Sequence, residues 1–343
     1  MKFSTNIILN NRDQLILKSV IEKYIELNHP IGSKYLHTTI YKDISPATIR
    51  NSLAMLESFG LLTHTYVSSG RIPTDLGYRY YVDKLLATEI EIQELNPMIM
   101  HKLMDMSDNI ENLMQATAGM LAKISRLFGI VVISGVQSSI LTEIEVIPLS
   151  SDRVMVVMAL ESGLLRSIVL NLNVAISESQ IETVNLILRE RLVGLPLQEI
   201  QETVKGRLMD TSIFEHEIVQ ILWKKPNSIF NLAENDLVYT SSYRELLNYP
   251  EFQDSEILQR TIRGLQTENL IKFLPPPEEN ERVHTIIGSE IDEELLSHCS
   301  VLSSTFLGKS YNGYLAILGP TRIPYKNIKA VLKAFVEIIP HVY

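Results

Sequence analysis

In the first part of the chain, apolar residues recur at three- and four-residue spacings, the period of amphipathic helices. The stretch NRDQLILKSVIEKYIEL (residues 11–27) predicts a first helix. The residues placed at helical spacing in it are Leu15, Ile16, Ser19, Val20, Lys23, Tyr24 and Leu27. The stretch PIGSKYLHTTI then predicts a turn at residues 30–32 and a short second helix from Ser33, whose own hydroxyl caps it.

A third helix is predicted by SPATIRNSLAMLESFGLL, residues 45–62. Ser45 is a suitable N-cap and Pro46 a suitable first residue, because proline needs no amide donor there. Gly60 can adopt the left-handed conformation that often follows the last helical turn. The core-facing stripe is predicted to hold Ile49, Leu53, Leu56 and Phe59.

The opposite face of this helix combines small side chains with two hydrogen-bonding groups. Its residues are Ala47, Asn51, Ala54 and Ser58, flanked by Thr48 and Arg50. Small residues permit a close approach, and Asn and Arg can bond the edges of adenine and guanine in a major groove. A helix packed against another helix, with Arg50 solvated, explains the same pattern, so this stretch alone leaves both interpretations open.

The flanking sequence favours the DNA-binding interpretation. LLTHTYVSSGRI predicts a strand, a turn at residues 68–70 and a return strand that carries Arg71. Three helices followed by such a hairpin make a winged helix-turn-helix, whose third helix enters the major groove while the wing lies on the DNA backbone or minor groove. Thr74 is predicted to cap a fourth helix. Winged helices also serve as protein–protein modules, which remains the alternative.

Beyond a predicted linker at residues 87–104, the pattern becomes mixed. A long helix is predicted at residues 105–128, followed by the strand GIVVISG. Three strand-like runs at 142–172 predict an antiparallel sheet, and helical patterns follow at 177–192, 197–208 and 213–225. Later strands at 236–242, 283–290, 299–307 and 313–320 surround one more helix, and a C-terminal helix begins at Tyr325. If GIVVISG joins these strands, one five-stranded antiparallel sheet with helices on one face results, interrupted by the inserted segment.

Composition and charge narrow the classes of protein. The chain has 343 residues and is 45% hydrophobic, which predicts two or three globular domains, and it carries neither an apolar run that could span a membrane nor a signal peptide. A cytoplasmic protein is expected. The net charge is −9, but residues 1–86 carry +3 and the remainder −12. A weakly basic DNA-binding region on an acidic body predicts modest non-specific affinity and a reliance on dimerisation.

Catalytic and metal-binding patterns are absent from the sequence. There is neither a P-loop nor a dinucleotide fingerprint, and the eight histidines show no metal-ligand spacing. Cys299, the one cysteine, is interpreted as structural. Glu290 and Arg322 are expected to form a structural ion pair across the sheet. No catalytic residue, metal or cofactor is therefore predicted, and an enzyme is disfavoured.

Five segments of this chain resemble the HrcA heat-inducible transcription repressors. They are PIGSKYL, SPATIRNSLAMLESFGLL, SSGRIPTDLGYRYYVD, IGSE and LGPTRIPY, and their order and spacing run from residue 12 to the C-terminus. The resemblance implies an α+β multidomain fold with an N-terminal winged helix-turn-helix, a GAF-like antiparallel sheet domain and an inserted α+β dimerisation domain. It also implies a homodimer on an inverted-repeat operator called CIRCE, upstream of chaperone operons, and activity maintained by the chaperonin GroEL.

The domain bounds that we expect combine the pattern with the resemblance. They are 1–86 for the DNA-binding domain, 87–104 for the linker, 105–142 and 232–343 for the GAF-like domain, and 143–231 for the inserted domain. The motif match carries the recognition-helix positions to Ser45, Thr48, Ile49, Arg50 and Asn51 and the wing positions to Gly70, Arg71, Pro73 and Thr74. The chain departs from the family pattern at Ser52, where an acidic residue is usual, and at residues 66–69.

We therefore expect double-stranded operator DNA as a partner, no membrane, and a repressor that blocks transcription. The predicted DNA-binding residues are Ser33, Lys34, Ser45, Ala47, Thr48, Arg50, Asn51, Gly70 and Arg71. Arg50 and Asn51 are assigned to base edges, and Ser33, Lys34 and Arg71 to phosphates. Two alternatives stay open: a repressor whose GAF-like domain senses a small molecule, and a scaffold that uses its winged helix on protein.

Overall fold

A computed structural model describes residues 7–64, 70–86, 103, 110–209, 211–231, 237–266, 270, 283–291, 294–308 and 312–342. It is a mixed α and β structure with antiparallel sheets. We call residues 7–86 the N-terminal unit. Its elements are α1 (Asn11–Leu27), α2 (Ser33–Thr39), α3 (Pro46–Ser58), β1 (Leu62–Thr63), β2 (Ile72–Pro73) and α4 (Asp75–Tyr80), which continues into a π-helical turn at Tyr81–Leu85.

Helix α3 has the predicted capping. The Ser45 hydroxyl accepts the amide of Thr48, Pro46 is the first helical residue, and Gly60 has a φ of +72°. Ile49, Leu53 and Leu56 are buried as predicted. Phe59 was expected to extend this stripe, but it is 42% exposed because the helix ends at Ser58 and the chain no longer follows the helical period.

The first two helices differ from the sequence prediction in detail. Helix α1 buries Ile16, Leu17, Val20 and Ile21, so its core-facing stripe is rotated from the predicted one and Leu15 is exposed. The Ser33 hydroxyl does not cap α2. The N-cap is Gly32, which has no side chain to accept a hydrogen bond. Ser33 follows it as the first residue of the helix.

The later strands form the predicted five-stranded antiparallel sheet. The strands are β3 (Phe128–Ser134), β7 (Val238–Thr240), β8 (His284–Ile287), β9 (Cys299–Leu307) and β10 (Asn312–Pro320), in the order β7-β3-β10-β9-β8. We call this sheet and the helices that pack on it the sheet unit. A strand that precedes the intervening segment and four strands that follow it therefore meet in a single layer.

Helices cover both faces of this sheet, whereas the sequence predicted one. On one face lie α5 (Ile110–Ser125) and the C-terminal α11 (Tyr325–Val342). The other face packs Phe128, Ile130 and Val132 against Leu246 and Phe252 of two 3₁₀ turns, beside helix α10 (Ser255–Gly264). The sequence predicted helix α10 but not the side of the sheet on which it lies, and the apolar residues of the 3₁₀ turns carry no helical periodicity.

The chain between β3 and β7 forms the predicted three-stranded antiparallel sheet with helices, which we call the intervening unit. Its sheet has the order β4-β5-β6. The elements are β4 (Leu141–Ser150), β5 (Arg153–Leu160), β6 (Leu165–Asn171), α6 (Glu178–Leu192), α7 (Leu197–Met209), α8 (Glu217–Lys224) and α9 (Pro226–Phe230). Strand β4 starts two residues before the predicted domain bound, and α8 starts later than predicted because residues 211–216 form turns.

Two further sequence predictions concern the linker with the long helix that follows it, and an ion pair. Most of the predicted linker and residues 105–109 of the predicted long helix lie outside the described residues. The predicted ion pair between Glu290 and Arg322 is wrong, since Glu290 pairs with Arg79 and Arg322 pairs with Glu251. None of the described helices is long and apolar enough to cross a membrane.

Candidate nucleic-acid interface

Helix α3 presents a solvent-exposed face of small residues with one amide and one guanidinium. Ala47, Arg50, Asn51, Ala54 and Ser58 are all exposed. These side chains project away from the buried stripe that contains Ile49 and Leu56, as the helical period requires. Such a face can approach another surface closely while Arg50 and Asn51 reach for hydrogen-bond partners.

Ser52 lies on the inner side of the same helix. Its side chain is buried, and its hydroxyl has no hydrogen-bond partner among the described residues. The departure from the family pattern at this position therefore faces the core and leaves the outer face unchanged.

The N-terminal turn of α3 is held by two hydroxyls. The Oγ of Ser45 lies 3.2 Å from the amide of Thr48 and 2.9 Å from the Thr48 Oγ1. Capping satisfies one of the free amides of the first turn, and the remaining amides still favour a negative charge there. Ser45, Ala47 and Thr48 thus stand at the positive end of the helix.

Helix α2 contributes Ser33 and Lys34 next to α3, against which it packs. Lys34 is exposed and Ser33 is partly buried. A cation in the first turn of a helix opposes the helix dipole, so Lys34 does not stabilise α2 through that dipole. An external anion would offset the charge, which fits the predicted role at a phosphate.

Gly70 and Arg71 join the turn before α2 in a short antiparallel bridge. The amide of Arg71 donates to the carbonyl of Ile31 at 2.8 Å, and the amide of Ile31 donates to the Arg71 carbonyl at 2.9 Å. A Cβ on Gly70 would lie 2.6 to 2.7 Å from the backbone of Pro30 and Ile31, so a larger residue does not fit. The predicted turn residues 66–69 lie outside the described residues, and their effect on DNA binding stays a prediction.

The Arg71 guanidinium is held by a residue that the sequence analysis missed. Its Nη2 lies 2.7 Å from the carboxylate of Glu57 on α3, and Glu57 also accepts a hydrogen bond from His64. Burial acts to raise the pKa of the Glu57 carboxyl, but the bond from His64 and the charge of Arg71 outweigh it, so the pKa lies below its ordinary value of 4.5. The sequence held one signal for this pair, because Glu57 is a carboxylate on a helix that is otherwise predicted to face DNA.

A second surface lies on the outer face of the sheet in the intervening unit. Met155 of β5 is half-buried and lies directly between Ile147 of β4 and Val169 of β6, which are 37% and 51% exposed. Leu165 is also exposed, and the inner face of β5 is buried against the helices. A row of partly exposed apolar side chains across three strands is a candidate surface for contact with another chain.

Comparisons with known proteins show which family model and which proteins this chain is similar to. Residues 111–328 match the family model described as HrcA protein C terminal domain. A protein of Shouchella clausii (strain KSM-K16) named heat-inducible transcription repressor HrcA is 31% identical over 334 residues, covering 95% of this chain and 95% of that protein. A protein of Lysinibacillus sphaericus with the same name is 28% identical and covers 95% of each chain.

One solved structure is similar over nearly the whole length. A crystal structure described only as that of a hypothetical protein aligns with a TM-score of 0.67, covering 98% of this chain and 100% of that chain at 19% identity. At this identity the likeness shows a shared fold and nothing about activity.

Proposed function

This chain belongs to the HrcA family of heat-inducible transcription repressors, and from that premise we propose that it represses heat-shock chaperone operons by binding an inverted-repeat operator of the CIRCE type as a homodimer. A repressor of chromosomal operons acts in the cytoplasm, where we place it. Transcription repressors are not a class of enzyme, so we assign no catalytic residue, metal or cofactor.

The observation that carries this proposal is the exposed face of α3. We assign α1 to α3 with β1 and β2 to a winged helix-turn-helix (residues 1–86), in which α3 enters the major groove. Arg50 and Asn51 contact base edges, because their side chains offer the paired hydrogen bonds that guanine and adenine accept. The helix-packing alternative requires another element on this face, and the described residues place none there.

Phosphate contacts surround this face in the proposal. Ser33, Lys34 and Arg71 hold the backbone, and Ser45, Ala47, Thr48 and Gly70 complete the surface at the start of α3 and at the wing. The N-terminal unit carries little net positive charge, so one copy makes few phosphate contacts. Two copies on one operator double their number, which is why we propose the dimer as the binding form.

We assign dimerisation to the intervening unit, within the bounds 143–231. The apolar row at Ile147, Met155 and Val169 is the surface that we expect a second copy to cover. The five-stranded sheet and its helices (residues 105–142 and 232–343) correspond to the GAF-like domain. An isologous contact of this kind gives the dimer a two-fold axis, and the operator's inverted repeat then matches that axis.

Regulation in this proposal follows from competition for a chaperonin. GroEL maintains the active repressor; when heat-damaged proteins occupy GroEL, the repressor loses activity and the chaperone operons are transcribed. Rapid recovery of full DNA binding after heating, without GroEL, would contradict this part of the proposal.

The test is a fluorescence anisotropy titration of the purified protein into labelled inverted-repeat DNA, with and without GroEL. A scrambled duplex of equal length and two salt concentrations serve as controls. We expect tight, salt-dependent binding to the inverted repeat alone and a gain with GroEL. Absence of any preference would overturn the repressor proposal, whereas a metabolite that shifts operator affinity would favour the ligand-sensing alternative.

A further inference from the structure

Helix α4 joins the N-terminal unit to the sheet unit through a largely buried ion pair. The Nε of Arg79 donates to the Oε1 of Glu290 at 2.7 Å, and its Nη2 donates both to the other oxygen of Glu290 and, at 2.6 Å, to the carbonyl of Thr285. The side chains are only 15% and 11% exposed. A two-pronged guanidinium–carboxylate pair fixes orientation as well as distance.

A second polar contact stands one helical turn away. The carboxylate of Asp75 accepts the amide of Ser289 at 2.9 Å and its hydroxyl at 3.0 Å. Gly288 has a φ of +54°, and a Cβ there would lie 2.2 to 2.4 Å from the Asp75 carboxylate. This turn therefore needs a glycine both for its own conformation and for the approach of α4.

Aromatic packing completes the contact. The ring of Tyr325, at the start of α11, lies 5.7 Å from the ring of Tyr78 and 6.5 Å from that of Tyr81. Tyr78 and Tyr325 are buried. We call residues 285–290 together with Tyr325 the α4 docking site. It combines apolar burial with directional hydrogen bonds, so it specifies one position of α4.

While α4 is docked, the outer face of α3 stays open to solvent, since Arg50 and Asn51 are exposed in this arrangement. We propose that Asp75 and Arg79 are positioning residues for operator recognition: by holding α4 on its docking site they set the direction in which α3 meets DNA. The inference rests on the proposed dimeric repressor. Orientation fixed before binding removes an ordering cost from the association.

This mechanism has a specific consequence for operator spacing. In a dimer whose two N-terminal units are held rigidly, only one separation of the half-sites lets both α3 helices enter their grooves. Changing the separation by about two base pairs rotates one half-site by a sizeable part of a helical turn of about 10.5 base pairs. Docked units therefore reject altered spacers, and undocked units tolerate them.

The first experiment compares Glu290→Gln with the control Glu199→Gln. Glu199 also pairs with an arginine, Arg207, at 2.7 Å, but both residues belong to α7 and contact neither α4 nor its docking site. We expect Glu290→Gln to weaken binding to the natural operator about tenfold, equivalent to about 1.4 kcal/mol, and to bind natural and altered spacers almost equally. Glu199→Gln should keep the affinity and the discrimination. Unchanged discrimination in Glu290→Gln would overturn the proposal.

The second experiment closes the contact covalently with the double variant Asp75→Cys and Ser289→Cys. The native thiol of Cys299 is fully buried and burial raises its pKa, so it does not compete for oxidation. We expect the reduced double variant to bind the operator weakly and the oxidised form to recover affinity and spacer discrimination. Loss of binding on oxidation would show that undocking is required, and that result overturns the inference.

These outcomes are separable from failure of the proposed function. If the unmodified protein binds no inverted repeat, the repressor proposal fails, whereas formation of the disulfide still reports whether α4 is docked. If the unmodified protein binds and rejects altered spacers but the Glu290→Gln variant behaves identically, only the positioning role fails.

Discussion

The carboxylate of Glu57 lies 2.7 Å from the Nη2 of Arg71, and this pair ties helix α3 to the segment that leads into β2. Glu57 accepts a further hydrogen bond from His64, which follows β1. One carboxylate thereby connects the proposed recognition helix to both strands beside it. The geometry holds the Arg71 side chain against α3, and in the proposed complex a phosphate would share that guanidinium with Glu57.

The charge of Glu57 should make stability depend on pH. Its pKa is lower in the folded chain than the ordinary value of 4.5, so its contribution is fully present above that value and is lost as pH falls through the folded pKa. Replacing Glu57 with Gln should flatten the pH dependence of the free energy of unfolding as pH falls below about 4.5. Urea unfolding at several pH values measures this, and a slope identical to that of the parent chain would contradict it.

Loss of the amide at residue 51 should affect specific DNA binding only. Asn51→Ala should cost about 1 to 3 kcal/mol on the operator and little on random DNA, because a base contact is lost while phosphate contacts remain. Parallel titrations of the two duplexes measure the difference. Asn248→Ala, at an exposed asparagine of the sheet unit, is the matched control. Equal losses on both duplexes would remove Asn51 from base recognition.

Lys34 should behave in the opposite way. Lys34→Gln should weaken binding to operator and random DNA alike and reduce the slope of log affinity against log salt by about one, because one phosphate contact is removed. Titrations across a series of salt concentrations give the slope. An unchanged slope would place Lys34 outside the phosphate contacts.

The apolar row of the intervening unit predicts a monomeric variant. Val169→Glu places a charge beside Met155 in the proposed dimer contact, and burying an unpaired carboxylate is costly. We expect dissociation in sedimentation experiments and weaker operator binding. Leu186→Glu, at an exposed leucine on α6, is the control and should stay dimeric. A dimeric Val169→Glu variant would move the interface elsewhere.

Two glycines should respond oppositely to alanine. A Cβ on Gly77 would lie 2.1 Å from the carbonyl oxygen of Leu61, so Gly77→Ala should destabilise the packing of α4 within the N-terminal unit. Gly119 lies within α5, and a Cβ there would meet no atom of another element within 4 Å, so Gly119→Ala should stabilise the chain by about 0.5 to 1 kcal/mol. Thermal unfolding of both variants decides, and equal shifts would contradict the prediction.

The sequence predicted those features that depend on residues close together in the chain. The caps of α3, its buried stripe and the alternating strands follow from residues close together in the chain, and the five-stranded sheet followed from strand patterns at its two ends. Phe59 was misplaced because periodicity does not report where a helix ends. The partners of Glu290 and Glu57 were missed because ion pairs between distant segments depend on how the elements pack.

The connectivity of the larger sheet has a final consequence. Strands β3 and β7 are antiparallel neighbours, paired at Val131 and Tyr239, yet the entire intervening unit lies between them in the chain. In topological terms that unit is the loop of one long β-hairpin. Excising it and closing β3 onto β7 with a short turn leaves every described pairing of the larger sheet intact, so the sheet itself needs no more than a hairpin at this edge, and the surface proposed for dimerisation lies wholly within that one connection.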